Sequence, residues 1–261
     1  LFALSIPIGA PWWIILSGVG FAILIGKHAF GGLGQNSFNP AMCGYLFLLL
    51  SFPLAMTTWH VPLTHSVNGD LISPLSLDGM LQSASASLAL PRFVSGSADA
   101  LIDGMTMATP LIEYKMAATN AIGKAIANQE SLFDRNSATG WELINIAYLT
   151  GGLLLLGLGV IRWHIPLAVL ITLTALSGVF YSSGSASIVG TPYLHLFSGA
   201  TMLGAFFIAT DPVSAATTNG GRIAYGITIG LTLYSVRVWG SYLDAVAIAV
   251  IFANFWAPLY D

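Results

Sequence analysis

Two threonine hydroxyls, Thr106 and Thr109, stand three residues apart in Asp103-Gly104-Met105-Thr106-Met107-Ala108-Thr109-Pro110-Leu111. A Thr hydroxyl among small residues on an accessible turn can be esterified and so carry a covalent group, and Asp103-Gly104 is a turn-forming pair. Thr109 also directly precedes Pro110, which suits a helix N-cap with Pro in the first turn. A second polar cluster is Gly31-Gly32-Leu33-Gly34-Gln35-Asn36-Ser37-Phe38-Asn39-Pro40-Ala41. The amides of Asn36 and Asn39 each donate and accept, a pattern that fits the mixed edge of a heteroaromatic ring but serves turns more often. A third cluster, 209–222, sets Asp211 before Pro212 as the second sets Asn39 before Pro40. Two capped helix starts account for this pair. So does a pair of half-helix ends facing a central site, as in transporters with internal repeats.

The elements that must position these groups are apolar. The chain has 261 residues, 56% hydrophobic and 7% charged, against roughly 25% charged in a soluble domain. We read an all-α integral membrane protein, a multispanning helical bundle with broken helices and one long extracytoplasmic segment. Its residues divide into N-terminal membrane helices over 1–56, the extracytoplasmic segment over 57–140 and C-terminal membrane helices over 141–261. Apolar runs lie at 12–25, 41–56, 143–161, 165–181, 193–209, 223–238 and 245–258. Several are shorter than the ~17 residues needed to cross a bilayer, so flanking residues or broken helices must complete them. The opening at Leu1, already inside an apolar run, leads us to expect earlier helices before it. Within 57–140, residues 60–91 read as loop and 109–128 as a helix.

Charge sets orientation. Short loops place Lys27, Arg162 and Arg222 on one side and Arg237 on the other; the positive-inside rule makes the first side cytoplasmic and puts 57–140 outside. The net charge of −3 arises from few groups and says nothing about nucleic acid, but no basic patch exists; membrane lipid is an expected partner and nucleic acid is not. The single Cys43 can form no intrachain disulfide and cannot alone hold an iron–sulfur cluster, which takes four thiolates; a small buried apolar role suits it. The histidines, His28, His60, His65, His164 and His195, read as polar residues near helix ends. Asp211 is the acid best placed for an ion path, with an N-cap as its plainer role.

The glycine-asparagine loop, the 103–111 motif, Arg162-Trp163-His164-Ile165-Pro166 and Ala209-Thr210-Asp211-Pro212-Val213-Ser214-Ala215 together resemble one family. It is the RnfD family, the D-type membrane subunits of Rnf ion-translocating electron transport complexes. The B-type subunit of the sodium-translocating NADH:quinone oxidoreductase is a relative of that family. The resemblance runs through nearly the whole chain. It implies an FMN joined through its phosphate to a Thr in a Ser/Thr-x-Ala-Thr motif, here Thr109, with Thr106 as fallback and Asp103 and Gly104 shaping the turn. It implies a second, non-covalent flavin, riboflavin, at the cytoplasmic loop, where Asn36 and Asn39 match the family's two Asn positions. A separate flavin transferase would attach the FMN, and partner subunits, iron–sulfur and flavin subunits among them, would carry electrons across the gap.

Ser198-Gly199-Ala200-Thr201 spells the motif more literally, but it lies in an apolar run where small residues suit close helix packing; exposure favours Thr109. The function implied is that of one subunit within an ion-translocating oxidoreductase in the bacterial inner membrane. It would pass electrons between NADH or quinone-type and ferredoxin-type carriers, coupled to sodium or proton movement. No catalytic or metal residue is assigned, and no complete catalytic site is expected in this chain alone. A flavin-free channel or transporter subunit, or a membrane scaffold, is the alternative.

Overall fold

The computed structural model describes residues 1–7, 10–32, 34–57, 59–60, 106–107, 135–181, 190–240 and 245–261, with backbone alone for 59–60, 106–107 and 135–141. Every apolar run becomes helix. In chain order these are α1 (Phe2–Ser5), α2 (Trp12–Leu24), α3 (Pro40–Ser51), α4 (Pro53–Thr57), α5 (Arg135–Gly157), α6 (His164–Phe180), α7 (Pro192–Phe197), α8 (Thr201–Leu203), α9 (Asn219–Trp239) and α10 (Val246–Tyr260). A π-helical turn, Gly204–Ile208, continues α8. The run at 193–209 is therefore a broken helix, as expected. The helical reading has one exception among the described residues. Strand β1 (Trp59–His60) pairs antiparallel with β2 (Thr106–Met107), His60 opposite Thr106. Of the loop expected over 60–91, His60 is strand instead; residues 61–91 and the helix expected over 109–128 lie outside the described residues.

Contacts between helix ends fix their directions. Arg162, just before α6, meets Asn219 at the start of α9, and Phe180 at the end of α6 stacks on Tyr234 near the end of α9; these two helices run parallel. Asp261, after α10, meets Thr217 and Thr218 just before α9, so α9 and α10 run antiparallel. Trp13 at the start of α2 packs edge-on against Phe52 just past α3, and Phe21 stacks on Phe47, so α2 and α3 are antiparallel. The 21 residues of α9 span about 32 Å at 1.5 Å per residue, close to the ~30 Å of a hydrocarbon core. The stretch 12–30 is long and apolar enough to cross a membrane on its own.

Apolar side chains face both ways. Ile14, Gly18 and Ala22 of α2 are buried against α3, while Trp12, Leu16 and Leu24 on its other face are exposed, the pattern of a helix with oil on its outer side. Lipid is as apolar as Leu, so helices meet where small residues let backbones approach. At Gly44 of α3 a Cβ would lie 2.6 Å from the Gly18 carbonyl oxygen and 2.9 Å from Ala22 Cβ. Half-buried Cys43 sits beside this seam. Gly44→Leu should cost about 1–3 kcal/mol by overpacking and lower the thermal midpoint of the detergent-solubilised chain; an unchanged midpoint would contradict the close crossing.

Candidate functional site

The loop between α2 and α3 turns on Gly31, Gly32 and Gly34, all at positive φ, the conformation glycine alone adopts freely. Nothing lies within 4 Å of a Cβ built on Gly32 or Gly34. Asn36 is buried and its amide donates to the Phe38 carbonyl at 3.0 Å. Asn39 is the N-cap of α3, as its place before Pro40 predicts: its Oδ1 accepts from the Met42 amide at 3.2 Å. Its Nδ2 reaches the Ile208 carbonyl, at the end of the π turn, in a long contact of 3.5 Å. The Asn39-Pro40 loop thus meets the residue from which the Asp211-Pro212 loop departs, although the two loops are far apart in sequence.

A residue the sequence reading missed joins them more firmly. Asn254 of α10 is 1% exposed. With its amide oriented as the surrounding donors and acceptors require, its oxygen accepts from the Asn39 backbone N–H at 2.9 Å and its nitrogen donates to the Ser214 carbonyl at 3.1 Å and to the Tyr225 hydroxyl. A lone amide in the apolar run 245–258 was the available signal.

Asp211 departs from expectation. It caps no helix: the chain makes one turn, with the Ala215 amide on the Asp211 carbonyl at 3.1 Å, and the Ser214 hydroxyl takes the carboxylate at 2.8 Å. The helix that follows, α9, is capped by Thr218, whose Oγ1 accepts from the Gly221 amide at 3.0 Å. The Asp261 carboxylate accepts the Thr217 and Thr218 amides at 2.8 and 2.9 Å. Partial burial pushes the Asp261 pKa up, but hydrogen bonds from the Thr218 and Thr217 backbone and side chains outweigh it and hold the group below the ordinary aspartate range. A depressed carboxylate contributes stability above its unfolded pKa, about 3.9, and loses it as pH falls through the folded value. Asp261→Asn should therefore be less stable than the parent at pH 7, with the gap closing as pH falls below the ordinary aspartate range. A denaturation difference independent of pH would refute the charge's part in this cap.

Asn219 also gathers the guanidinium groups of Arg162, at 3.4 Å, and Arg222, at 3.2 Å. Two of the three cations assigned to one side thus share one end of the bundle. Arg237, assigned to the opposite loop, is instead 2% exposed inside the bundle. It binds the break in the broken helix. Gly199 takes a positive φ there, freeing carbonyls that a continuous helix would use. Arg237 Nη1 donates to the His195 carbonyl at 2.7 Å, and Asn145 Nδ2 to the carbonyls of Phe197 and Gly199 at 2.9 and 3.1 Å. His195, expected near an interface, is itself buried. Thr201 is 1% exposed; its hydroxyl donates to the His195 carbonyl at 2.8 Å and accepts from Arg237 Nη2 at 2.8 Å. The more literal motif is a structural helix break.

Of the 103–111 motif, the structure describes Thr106 and Met107, whose strand pairs with residues 59–60, just after α4. Asp103, Gly104 and Thr109 lie outside the described residues.

Three relatives share this sequence throughout, each the D-type subunit of an ion-translocating oxidoreductase complex. That of Vibrio cholerae serotype O1 (strain M66-2) is 46% identical over 268 residues, covering 100% of this chain and 73% of its own. That of Vibrio vulnificus (strain YJ016) is 45% identical over 269 residues, covering 100% and 74%. That of Aliivibrio salmonicida (strain LFI1238) is 45% identical over 261 residues, covering 100% and 73%. The NQR2, RnfD, RnfE family model matches residues 1–261. With its helices, its break and its paired loops accounted for, this chain belongs to the NQR2, RnfD, RnfE family of membrane proteins.

Proposed function

We propose that this chain is the RnfD-type membrane subunit of an ion-translocating oxidoreductase complex, bearing FMN as a phosphoester on Thr109 and holding riboflavin at the loop of Asn36 and Asn39. Identity of 45–46% across the entire chain to subunits of such complexes supports the assignment. The observation that carries the covalent site is negative for its rival: Thr201 is buried with its hydroxyl both donating and accepting, so a soluble transferase has no access to it. The family resemblance then favours Thr109 of the 103–111 motif, with Thr106 as fallback.

The inner loop fits a ring that both donates and accepts. Asn39 uses one amide hydrogen and one lone pair within the protein, which leaves a second of each. The bare Gly32 and Gly34 backbone permits a flat group to approach. A flavin held there supplies reversible one- and two-electron transfer; the chain's part is to fix its pyrimidine edge with Asn36 and Asn39 and to keep water from it.

In this reading the helices cross the inner membrane repeatedly, the end bearing Arg162 and Arg222 faces the cytoplasm, and 57–140 faces the periplasm. Electrons pass between NADH or quinone-type and ferredoxin-type carriers, coupled to sodium or proton movement. The two flavin sites would lie about 30 Å apart across the hydrocarbon core, so iron–sulfur and flavin subunits of the complex bridge them. Topology is tested in a Cys43→Ser background by an impermeant maleimide on intact cells. Ser66→Cys should label, and Gly220→Cys only after permeabilisation; the reverse pattern refutes the orientation. The flavin reading is tested by in-gel fluorescence of the denatured chain co-expressed with its transferase. A dark band would sink it in favour of a flavin-free channel or scaffold.

A further inference from the structure

We propose that Asn254 is the positioning residue for the inner flavin loop, holding it at a fixed distance from the loop after the broken helix. This inference rests on the reading that the 31–41 loop binds riboflavin. Asn39 must do two things: cap α3 and present its amide edge. Its side chain can do both only if the backbone beneath it is fixed. As the N-cap residue, Asn39 carries a backbone N–H with no partner inside the helix. Asn39 is 3% exposed although much of its loop is open, so this group must be satisfied within the protein, and Asn254 supplies the acceptor at 2.9 Å. The Ser214 carbonyl, in the single turn begun by Asp211, receives the Asn254 amide at 3.1 Å. One side chain on α10 thus satisfies backbone groups from both loops, and the Tyr225 hydroxyl of α9 sets its rotamer. A fully engaged amide in a low-dielectric core is geometrically specific, because each hydrogen bond fixes a direction.

An apolar residue of the same shape removes the bridge with little change of volume. Asn254→Leu leaves the Asn39 N–H and Ser214 carbonyl buried without their partner, so the loops should part. Asn254→Asp keeps an acceptor toward Asn39 and, because a carboxyl buried there is held neutral, replaces the two amide hydrogens with a single O–H to share between Ser214 and Tyr225. The experiment uses the purified whole complex stripped of riboflavin and titrated with riboflavin.

The riboflavin concentration for half-reconstitution should rise roughly tenfold in Asn254→Leu, the effect of one to two lost hydrogen bonds, and less in Asn254→Asp. The KM for the electron donor should stay unchanged in both. If Asn254→Leu fails to assemble, Asn254→Asp decides. Normal riboflavin affinity in an assembled variant, with affinity lost in Asn39→Ala, overturns the role of Asn254. Normal affinity in Asn36→Ala with Asn39→Ala overturns instead the reading of the loop as a flavin site.

Discussion

Arg237→Met should destabilise the solubilised chain by about 2–3 kcal/mol, the scale of losing charged hydrogen bonds in a buried setting. The guanidinium is 2% exposed and donates at 2.7 and 2.8 Å to the His195 carbonyl and the Thr201 hydroxyl. Methionine retains most of the aliphatic stem, so the loss reports the head group rather than packing. Arg237→Lys should recover only part, because one ammonium cannot reproduce a planar fork. Thr201→Val should also destabilise by leaving the guanidinium short of an acceptor. Because the two residues share one contact, the double variant should cost less than the sum of the singles. Strict additivity in chemical denaturation would contradict the clamp.

The second large effect concerns covalent flavin. Thr109→Ala should abolish in-gel fluorescence, whereas Thr201→Val should leave it intact while lowering stability. The contrast follows from access: a transferase can esterify only a hydroxyl it reaches, and Thr201 is enclosed among Arg237, His195 and Ser198. Fluorescence lost in Thr201→Val and kept in Thr109→Ala would show that the break opens to the enzyme.

The contrast between these residues also shows what sequence makes legible. Helices were readable because long apolar runs punctuated by Gly and Pro leave the backbone little alternative in oil. The break at 198–200 was not legible: its small residues read as a close-packing surface within an apolar run, and Gly199 takes a positive φ there instead. The N-cap at Asn39 was local and therefore visible. Asp211 looked alike but differs, because a hydroxyl three residues on competes for its carboxylate before any helix forms.

What sequence hid were partnerships between distant elements. Arg237 reads as a loop charge until α9 is seen to extend through it to Trp239. Asn145 and Asn254 read as ordinary polar residues until one meets the carbonyls of the helix break and the other the backbone of two loops. A lone amide in an apolar run signals that it needs a partner but not which distant backbone it meets, yet in oil such amides hold irregular backbone where it would otherwise be unsatisfied. The candidate inner site was thus half legible: the residues that would face a ligand were visible, the one that fixes them was not.

The central claim, that this subunit carries a flavin on its outer segment, is tested most directly by mass spectrometry of the natively matured chain after trypsin. Cleavage after Arg92 and Lys115 yields a peptide spanning 93–115 that contains both Thr106 and Thr109 and excludes Thr201. The account predicts that this peptide is heavier by one FMN less one water, with fragment ions locating the addition at Thr109. An unmodified 93–115 peptide from a chain matured with its transferase, or flavin found on the peptide containing Thr201, would contradict it.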